Sequence, residues 1–475
     1  MTEIDRKLQD EIVLTVYCGP QPPYKKDGAD FPDRITEEQY TLLKNCGMNL
    51  VFGHEDIMNK DTESYAFRAL DIAQKVGIGY LVKDDFTLRY CGLGKKYKDF
   101  RAMTEEERKE LDDGFRKSLM RYKDHPAFAS VVAADEPGSD MFPGIARAKK
   151  VFDEVCPGKI FWVGLYPYYI SAAQYQFSWE CMDWKGDEIY APYVKPNILR
   201  YEPYLDNYIK TVDNDILCYD AYPFMENGEV KHNVHMILYE LQQAYSKAAI
   251  DNGKKFWLAL QNGGGWCSDE RIRITSLGEV ALGVSLALAY GAKGMLLYTG
   301  CFPNCCWTSK TEHSGVIDLY GNITEQYPLF QYVFMQVKAI QKYIVHASLK
   351  GYIVSGEYFG MLPSDEVIER QNAPETIFRG KFPEYANMEI NEYKELKKVE
   401  ASSQAMVSCF DNAGESVFLV VNNSPFVAMD VKLTFDGEYE FEYIVKTVAK
   451  TAVTKTLEIY GIPAGENVLV RIIKK

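Results

Sequence analysis

Phe128-Ala-Ser-Val-Val-Ala-Ala-Asp135-Glu136-Pro137-Gly138 is a short apolar run that stops abruptly at two adjacent carboxylates. A run of this length, rich in Val and small residues and closed by Pro-Gly, fits a strand buried on both faces, as in parallel sheets. Its end delivers Asp135 and Glu136 to a surface, and strand ends are where α/β folds keep their chemistry. A plainer role competes, because acidic residues ahead of a helix also satisfy its first N–H groups and its dipole. The rest of the chain decides between the two.

Outward from this run the same unit repeats. Short apolar segments at 12–17, 49–52, 79–83, 160–165, 216–219, 256–260 and 294–298 read as seven more strands. Helical patterns lie between them. Thr36 and Gln39 form a capping-box signature for a helix ending at Cys46-Gly47, and Ala66, Ala69, Leu70, Ala73 and Val76 keep helical spacing up to Gly77. Further helices are expected over 104–122, 141–155, 201–210, 234–249 and 326–344. Leu277, Val280, Ala281, Val284 and Leu288 mark an amphipathic one stopped by Gly291. Eight strands, each followed by a helix and with connections too long for hairpins, predict a parallel sheet. A count of eight over roughly 340 residues fits an α/β chain closed as a (β/α)8 TIM barrel better than an open doubly wound sheet.

Past residue 350 the helical period disappears. Runs at 405–410, 416–422, 428–435, 439–445, 456–460 and 467–473 are rich in β-formers and separated by turn clusters such as Asp411-Asn-Ala-Gly414, Asp436-Gly437 and Pro463-Ala-Gly465. They predict a second, smaller all-β sandwich domain, so the expected division is a barrel over 1–348 and a β-sandwich over 349–475. Residues 361–400 are charged and poorly periodic.

The 475 residues are 47% hydrophobic and 25% charged, enough for two packed cores in a soluble protein. Acids outnumber bases 67 to 53, giving a net charge of −14 with no basic cluster, so neither nucleic acid nor an anionic membrane is an expected partner. The N-terminus has no signal-type apolar core and no later run is long enough to span a bilayer, so the chain as it stands is expected in the cytoplasm. Eleven scattered cysteines, mostly inside apolar runs, suit reduced core thiols. No Gly-x-Gly-x-x-Gly, P-loop or Gly-x-Ser-x-Gly motif opens a helix, which removes the main nucleotide and serine-hydrolase readings.

In a barrel the C-terminal ends of the strands form one rim. Here that rim holds Tyr17 and Cys18; His54, Glu55 and Asp56; Asp84 and Asp85; Asp135 and Glu136; Tyr166 and Tyr168; Asp220 and Tyr222; Gln261 and Asn262; and Tyr298. Carboxylates at four of eight strand ends raise one another's pKa, which marks functional sites more often than accidents. All six tryptophans fall between the fifth strand and the loop after the eighth. Trp162 and Trp257, inside strands, are expected to pack between barrel and helices. Trp266 and Trp307, in loops, are candidates for a platform against sugar C–H faces. Cys301, Cys305, Cys306 and His313 match no regular zinc spacing, and no cofactor or metal is expected.

A barrel with Asp-Glu-Pro after strand four, Tyr-Asp-Ala-Tyr-Pro-Phe at 219–224 and a β-sandwich behind it resembles the clan A glycoside hydrolases, broadly the β-galactosidase and cellulase-like barrels. The resemblance implies an oligosaccharide or glycoside substrate and makes Glu136 the general acid/base, with Asp135 orienting it or binding a sugar hydroxyl. It also implies a nucleophilic Glu at the end of strand seven, where this chain has Gln261. An amide cannot attack as a carboxylate does. Three possibilities follow. Asp220, or failing it Asp85 or Glu55, activates water opposite Glu136 and the anomer inverts; Asp220 or another rim carboxylate is the nucleophile and the anomer is retained; or the barrel binds glycans without cleaving them. Tyr166, Tyr222, Gln261, Trp266 and Trp307 are expected to shape the sugar subsites, and Glu279, two turns into its helix, to be structural.

Overall fold

The structure, a computed structural model, describes residues 2–26, 28–53, 62–92, 97–167, 170, 172–178, 201–224, 242–262, 273–301, 315–356 and 395–474. Eight strands form one all-parallel sheet: β1 (Val13–Val16), β2 (Leu50–Phe52), β3 (Gly79–Val82), β4 (Phe128–Asp135), β5 (Ile160–Leu165), β6 (Ile216–Ala221), β7 (Lys255–Gln261) and β8 (Gly294–Tyr298). Their order is β1-β8-β7-β6-β5-β4-β3-β2, so the sheet curls until β1 and β2 meet. Each of the eight apolar runs is a strand. They are buried because helices cover the outside and side chains fill the inside.

The last seam, between β1 and β2, closes through one side chain. Asn49 accepts the Leu14 N–H at its Oδ1 (2.9 Å) and donates Nδ2 to the Ile12 carbonyl (3.1 Å), while its own N–H bonds the Leu14 carbonyl (3.0 Å). A buried amide thus supplies the bonds that a ladder would otherwise make. Above it the Gly19 N–H reaches the Phe52 carbonyl at 3.1 Å.

The helices follow their caps. Thr36 caps Glu37–Cys46 and Gly47 ends it in the left-handed region; Thr104 and Glu107 form a capping box on Glu105–Tyr122. The helix expected over 326–344 is Gln326–Ile344. Of the helix expected over 234–249, Gln242–Asp251 is described, and the part before it lies outside the described residues. Two short helices carry no long apolar stripe and escape a periodicity reading: Glu3–Asp10, closed by a Thr2–Asp5 capping box, and Asp85–Cys91.

The smaller domain is a seven-stranded antiparallel sheet made of β9 (Ser348–Ser355), β10 (Leu396–Ala401), β11 (Ala405–Asn412), β12 (Glu415–Asn422), β13 (Met429–Val445), β14 (Val448–Ile462) and β15 (Asn467–Lys474). It runs β9-β11-β12-β15-β13-β10 with β14 on β13, and curls so that Ser355 Oγ bonds the Val399 carbonyl at 2.8 Å. Two expectations change here. Asp436-Gly437 is not a turn, because β13 runs through it with a register shift between Thr434 and Tyr439. The sheet also gains β9 and β10 from segments not read as strands.

Strand alternation gives this sheet two buried faces. Val407, Cys409, Phe418 and Val420 point into its own core, while Met406, Phe410, Val417, Leu419 and Val421 join the core of the barrel. The helix Leu277–Ala289 lies between the two and is buried from Glu279 to Ala289, so it is apolar all round rather than amphipathic. Contact there is close enough that a Cβ on Gly278 would sit 2.2 Å from the Pro425 carbonyl oxygen. Asn467 donates to Ser285 Oγ (2.9 Å) and Tyr332 to Glu466 (2.9 Å) across the same interface.

The seam makes a direct prediction. Asn49→Ala leaves the Leu14 N–H and Ile12 carbonyl without that amide, and is expected to cost about 2–4 kcal/mol in urea unfolding of the barrel. A loss below about 0.5 kcal/mol would show that water or backbone closes the seam unaided.

Candidate active site

The residues that meet at the barrel mouth come from strands that are not neighbours. Tyr17, just past β1, donates its hydroxyl to Asp135 Oδ2 on β4 at 2.9 Å, although β2 and β3 lie between those strands. The contact therefore spans the mouth. Below it, the Trp162 ring of β5 lies 6.1 Å from Tyr17 and 4.7 Å from Phe52, which only the barrel interior allows. Trp162 thus fills the barrel rather than packing outward against helices, as its position inside a strand had suggested.

Glu136 follows the last residue of β4 with φ +46°, a left-handed conformation that costs a non-glycine residue roughly 1–3 kcal/mol. Its surroundings hold it there. The Glu136 N–H bonds the Gly164 carbonyl (2.8 Å), Ser178 Oγ donates to the Glu136 carbonyl (2.6 Å), and Tyr204 donates to the Pro137 carbonyl (2.8 Å). Two glycines leave the space: a Cβ on Gly164 would lie 2.8 Å from Asp135 Oδ1, and one on Gly138 would lie 2.3 Å from the Gln176 carbonyl oxygen. Gly164, Ser178 and Tyr204 are members of this set that sequence reading missed, since a lone Gly, Ser or Tyr carries no signal of its own.

Burial is the largest influence on the Glu136 carboxyl and pushes its pKa well above the carboxylate range, followed by the negative charges of Asp220 and Asp135. Asp220, on β6, is pushed up to about 8, by burial first and then by Asp135; a hydrogen bond from Tyr222 works in the opposite direction. Asp135, Glu136 and Asp220 therefore face one another, and all three keep partial solvent contact. Aromatic rings wall the cluster. Tyr222 stacks on Tyr298 at 5.1 Å, Tyr298 lies 5.4 Å from Tyr17, and Tyr166 bonds Ser178 Oγ at 3.4 Å with its hydroxyl pKa raised by burial and by Glu136.

Other rim residues have different uses. Asp84 caps the helix Asp85–Cys91, accepting the Phe86 N–H at 2.9 Å, and is buried against Ser118 and Tyr122. Asp85, the fallback expected to activate water, pairs with Arg89 (3.0 Å) and accepts the Tyr97 hydroxyl. Here the competing capping role describes the strand-three acids, whereas β4 delivers its pair to the mouth. Gln261, expected at a sugar subsite, has its amide engaged by backbone: Oε1 accepts the Phe224 N–H (2.9 Å), and Nε2 donates to the carbonyls of Phe224 (2.8 Å) and Arg273 (2.7 Å). Glu279 caps its own helix through Ser276 and pairs with Arg273 at 2.9 Å, a structural role as expected. Glu55, Trp266, Trp307, Tyr168, Cys305, Cys306 and His313 lie outside the described residues. Among the described residues no group of three or more His, Cys, Asp or Glu is arranged to hold a metal ion.

Among solved structures, the chain is similar to a catalytic mutant of a GH42 β-galactosidase from G. stearothermophilus, with TM-score 0.56 and 9% identity over 98% of each chain. It is similar to a β-galactosidase from Bacillus circulans sp. alkalophilus at TM-score 0.54 and 9% identity, covering 98% of this chain and 99% of that one. A glycoside hydrolase family 5 protein from Bacteroides vulgatus aligns at TM-score 0.50 and 12% identity, covering 97% and 89%. The likeness is one of fold, the barrel with a C-terminal β-domain found in clan A glycoside hydrolases. No family model and no curated protein matches the sequence.

The raised Asp220 pKa has a consequence for stability. A carboxyl that ionises at about 8 when folded and near 3.8 when unfolded keeps its proton longer in the native state, so native stability falls as pH rises from about 4 to about 8. Asp220→Asn keeps an acceptor for Tyr222 and removes the charge. It is expected to raise the melting temperature by about 1–3 °C at pH ~8.5 and by little at pH ~4, measured by calorimetry at both. A gain of equal size at both pH values would mean that Asp220 is not the strained charge.

Proposed function

We propose that this chain is a glycoside hydrolase that cleaves an O-glycosidic bond, with Glu136 as general acid and Asp220 as its partner carboxyl. One observation carries the reading: burial and two neighbouring acids raise the pKa of Glu136 well above the carboxylate range, at the C-terminal mouth of a barrel whose fold is that of known glycoside hydrolases. Glycoside cleavage needs a carboxyl that stays protonated until it gives its proton to the departing oxygen, and a second carboxylate on the other side of the sugar. Glu136 and Asp220 form such a pair when they share one proton between them. Asp135, which accepts the Tyr17 hydroxyl, contributes the neighbouring charge that raises both pKa values and an acceptor for a sugar hydroxyl. Tyr166 and Tyr222 are the proposed walls of the subsite.

The departure at β7 supports Asp220 over a strand-seven nucleophile. Gln261 is neutral and already bonded to three backbone groups. Whether Asp220 activates water or attacks the anomeric carbon is read from the product: inversion corresponds to carboxyl groups about 6.5–9.5 Å apart and retention to about 5–5.5 Å. Gln261 also supports a second reading, a carbohydrate-binding barrel without turnover. Calorimetry that finds glycan binding while no glycosidic bond is cut would select it.

The test is release of reducing sugar from a panel of aryl glycosides and oligosaccharides. Wild type is expected to cleave at least one, and Glu136→Gln to lose a factor of order 10²–10⁴ in kcat/KM. Equal rates would remove Glu136 from the reaction. The pH profile supplies a second check. Since Asp135 raises the pKa of both partners, Asp135→Asn is expected to move both limbs of kcat/KM to lower pH, and an unmoved profile would detach Asp135 from the pair.

A further inference from the structure

Two consecutive amides at the end of β7 tie together the other strand ends on that side of the mouth. Gln261 holds the loop after β6 at both the N–H and the carbonyl of Phe224, and holds the loop after β7 at the Arg273 carbonyl. Those loops also bond each other, Arg273 N–H to the Phe224 carbonyl at 2.9 Å. Asn262 does the same for β8: its backbone N–H bonds the Tyr298 carbonyl (2.9 Å) and its Nδ2 bonds the Thr299 carbonyl (2.8 Å). Both side chains are buried. The segments they fix carry Tyr222 and Tyr298, the two rings that stack at 5.1 Å, and the Tyr222 hydroxyl is the group that works to hold the Asp220 pKa down.

We propose that Gln261 and Asn262 are tandem positioning residues, a neutral-amide clamp that locks the Tyr222 loop against Tyr298 and so holds the Tyr222 hydroxyl on Asp220. The chemistry explains why the residue is Gln. Two carbonyls face Nε2, and only a donor can meet both; a carboxylate there would put lone pairs against lone pairs. A Glu at this position would break the clamp before it could serve as a nucleophile. The inference deepens the glycosidase reading and rests on it for its catalytic consequence, while the clamp itself can be tested without turnover.

The readout is the ionisation of Asp220, followed by pH-difference infrared titration and assigned with Asp220→Asn. Asp135 and Glu136 from β4, Tyr166 after β5, Cys218 and Tyr222 from the β6 segment, and Tyr17 and Tyr298 from β1 and β8 are the titratable groups around it. The Tyr222 bond favours the charged form, so losing it raises the Asp220 midpoint. Gln261→Met and Tyr222→Phe are each expected to raise it by a similar amount, on the order of one pH unit, and the double variant to raise it no further. Gln261→Glu is expected to lie closer to wild type at acid pH, where its carboxyl keeps one O–H donor for the two carbonyls, and to behave as Tyr222→Phe once that carboxyl ionises. An unmoved midpoint in folded Gln261→Met, or additive shifts in the double variant, overturns the proposal. So does failure of both Gln261 variants to fold at any pH while Tyr222→Phe folds normally, which would make the role purely structural. If wild type cleaves no glycoside yet the midpoints shift as expected, the clamp stands and the assigned reaction falls.

Discussion

Three carboxyl groups, Asp135 and Glu136 at the end of β4 and Asp220 on β6, face one another at the barrel mouth, where the charges of Asp220 and Asp135 work against ionisation of Glu136 and the charge of Asp135 works against ionisation of Asp220. Free side chains would move apart or bind counter-ions. Here they cannot, because Asp135 and Asp220 sit on strands locked in one parallel sheet and Glu136 is held by Gly164, Ser178 and a left-handed backbone. The repulsion is thereby converted into retained protons. Much of the surrounding architecture serves this confinement: Tyr17 reaches across from β1 to neutralise part of Asp135's demand for hydrogen bonds, and Tyr222 does so for Asp220.

A short-stranded barrel resists that strain through its seam and its brace. Asn49 joins β1 to β2 where no regular ladder forms, and the C-terminal sheet presses on the helix Leu277–Ala289 from outside. That helix begins just after Arg273, the residue whose carbonyl Gln261 holds. The β-domain is thus connected through one buried helix to the β7 side of the mouth. Its apolar faces serve two cores at once, so the domain works as a brace as well as a fold of its own.

Local pattern carried a great deal. The eight apolar runs, the capping boxes at Thr36 and Thr104, the glycine stop at Gly47 and the Asp-Glu-Pro ending of β4 all express constraints acting within a few residues. They made the barrel and the rim legible, including Asp135, Glu136, Asp220 and Tyr222 as residues of one edge. The same reasoning could not separate the acids of that edge. Asp84 and Asp85 occupy strand-end positions like those of Asp135 and Glu136, yet cap a helix and pair with Arg89, because a helix starts immediately after β3. The long β13 strand passed through Asp436-Gly437 for a comparable reason: a turn-prone dipeptide is overruled when the pairing on either side continues.

The sequence by itself therefore determined the repeating strand and helix units, the acidic rim and the neutral amide at Gln261, since each depends on residue type and spacing along the chain. Only the tertiary structure decided which rim carboxyls meet, that Tyr17 crosses the mouth to Asp135, and that Gln261 is a clamp on Phe224 and Arg273. The first two depend on curling the sheet until residues as far apart along the chain as Tyr17 and Asp135 come within hydrogen-bond distance, and the clamp depends on the strands β6 and β7 lying side by side. Spacing along a strand sets where a side chain points, but only closure of the barrel sets what it points at.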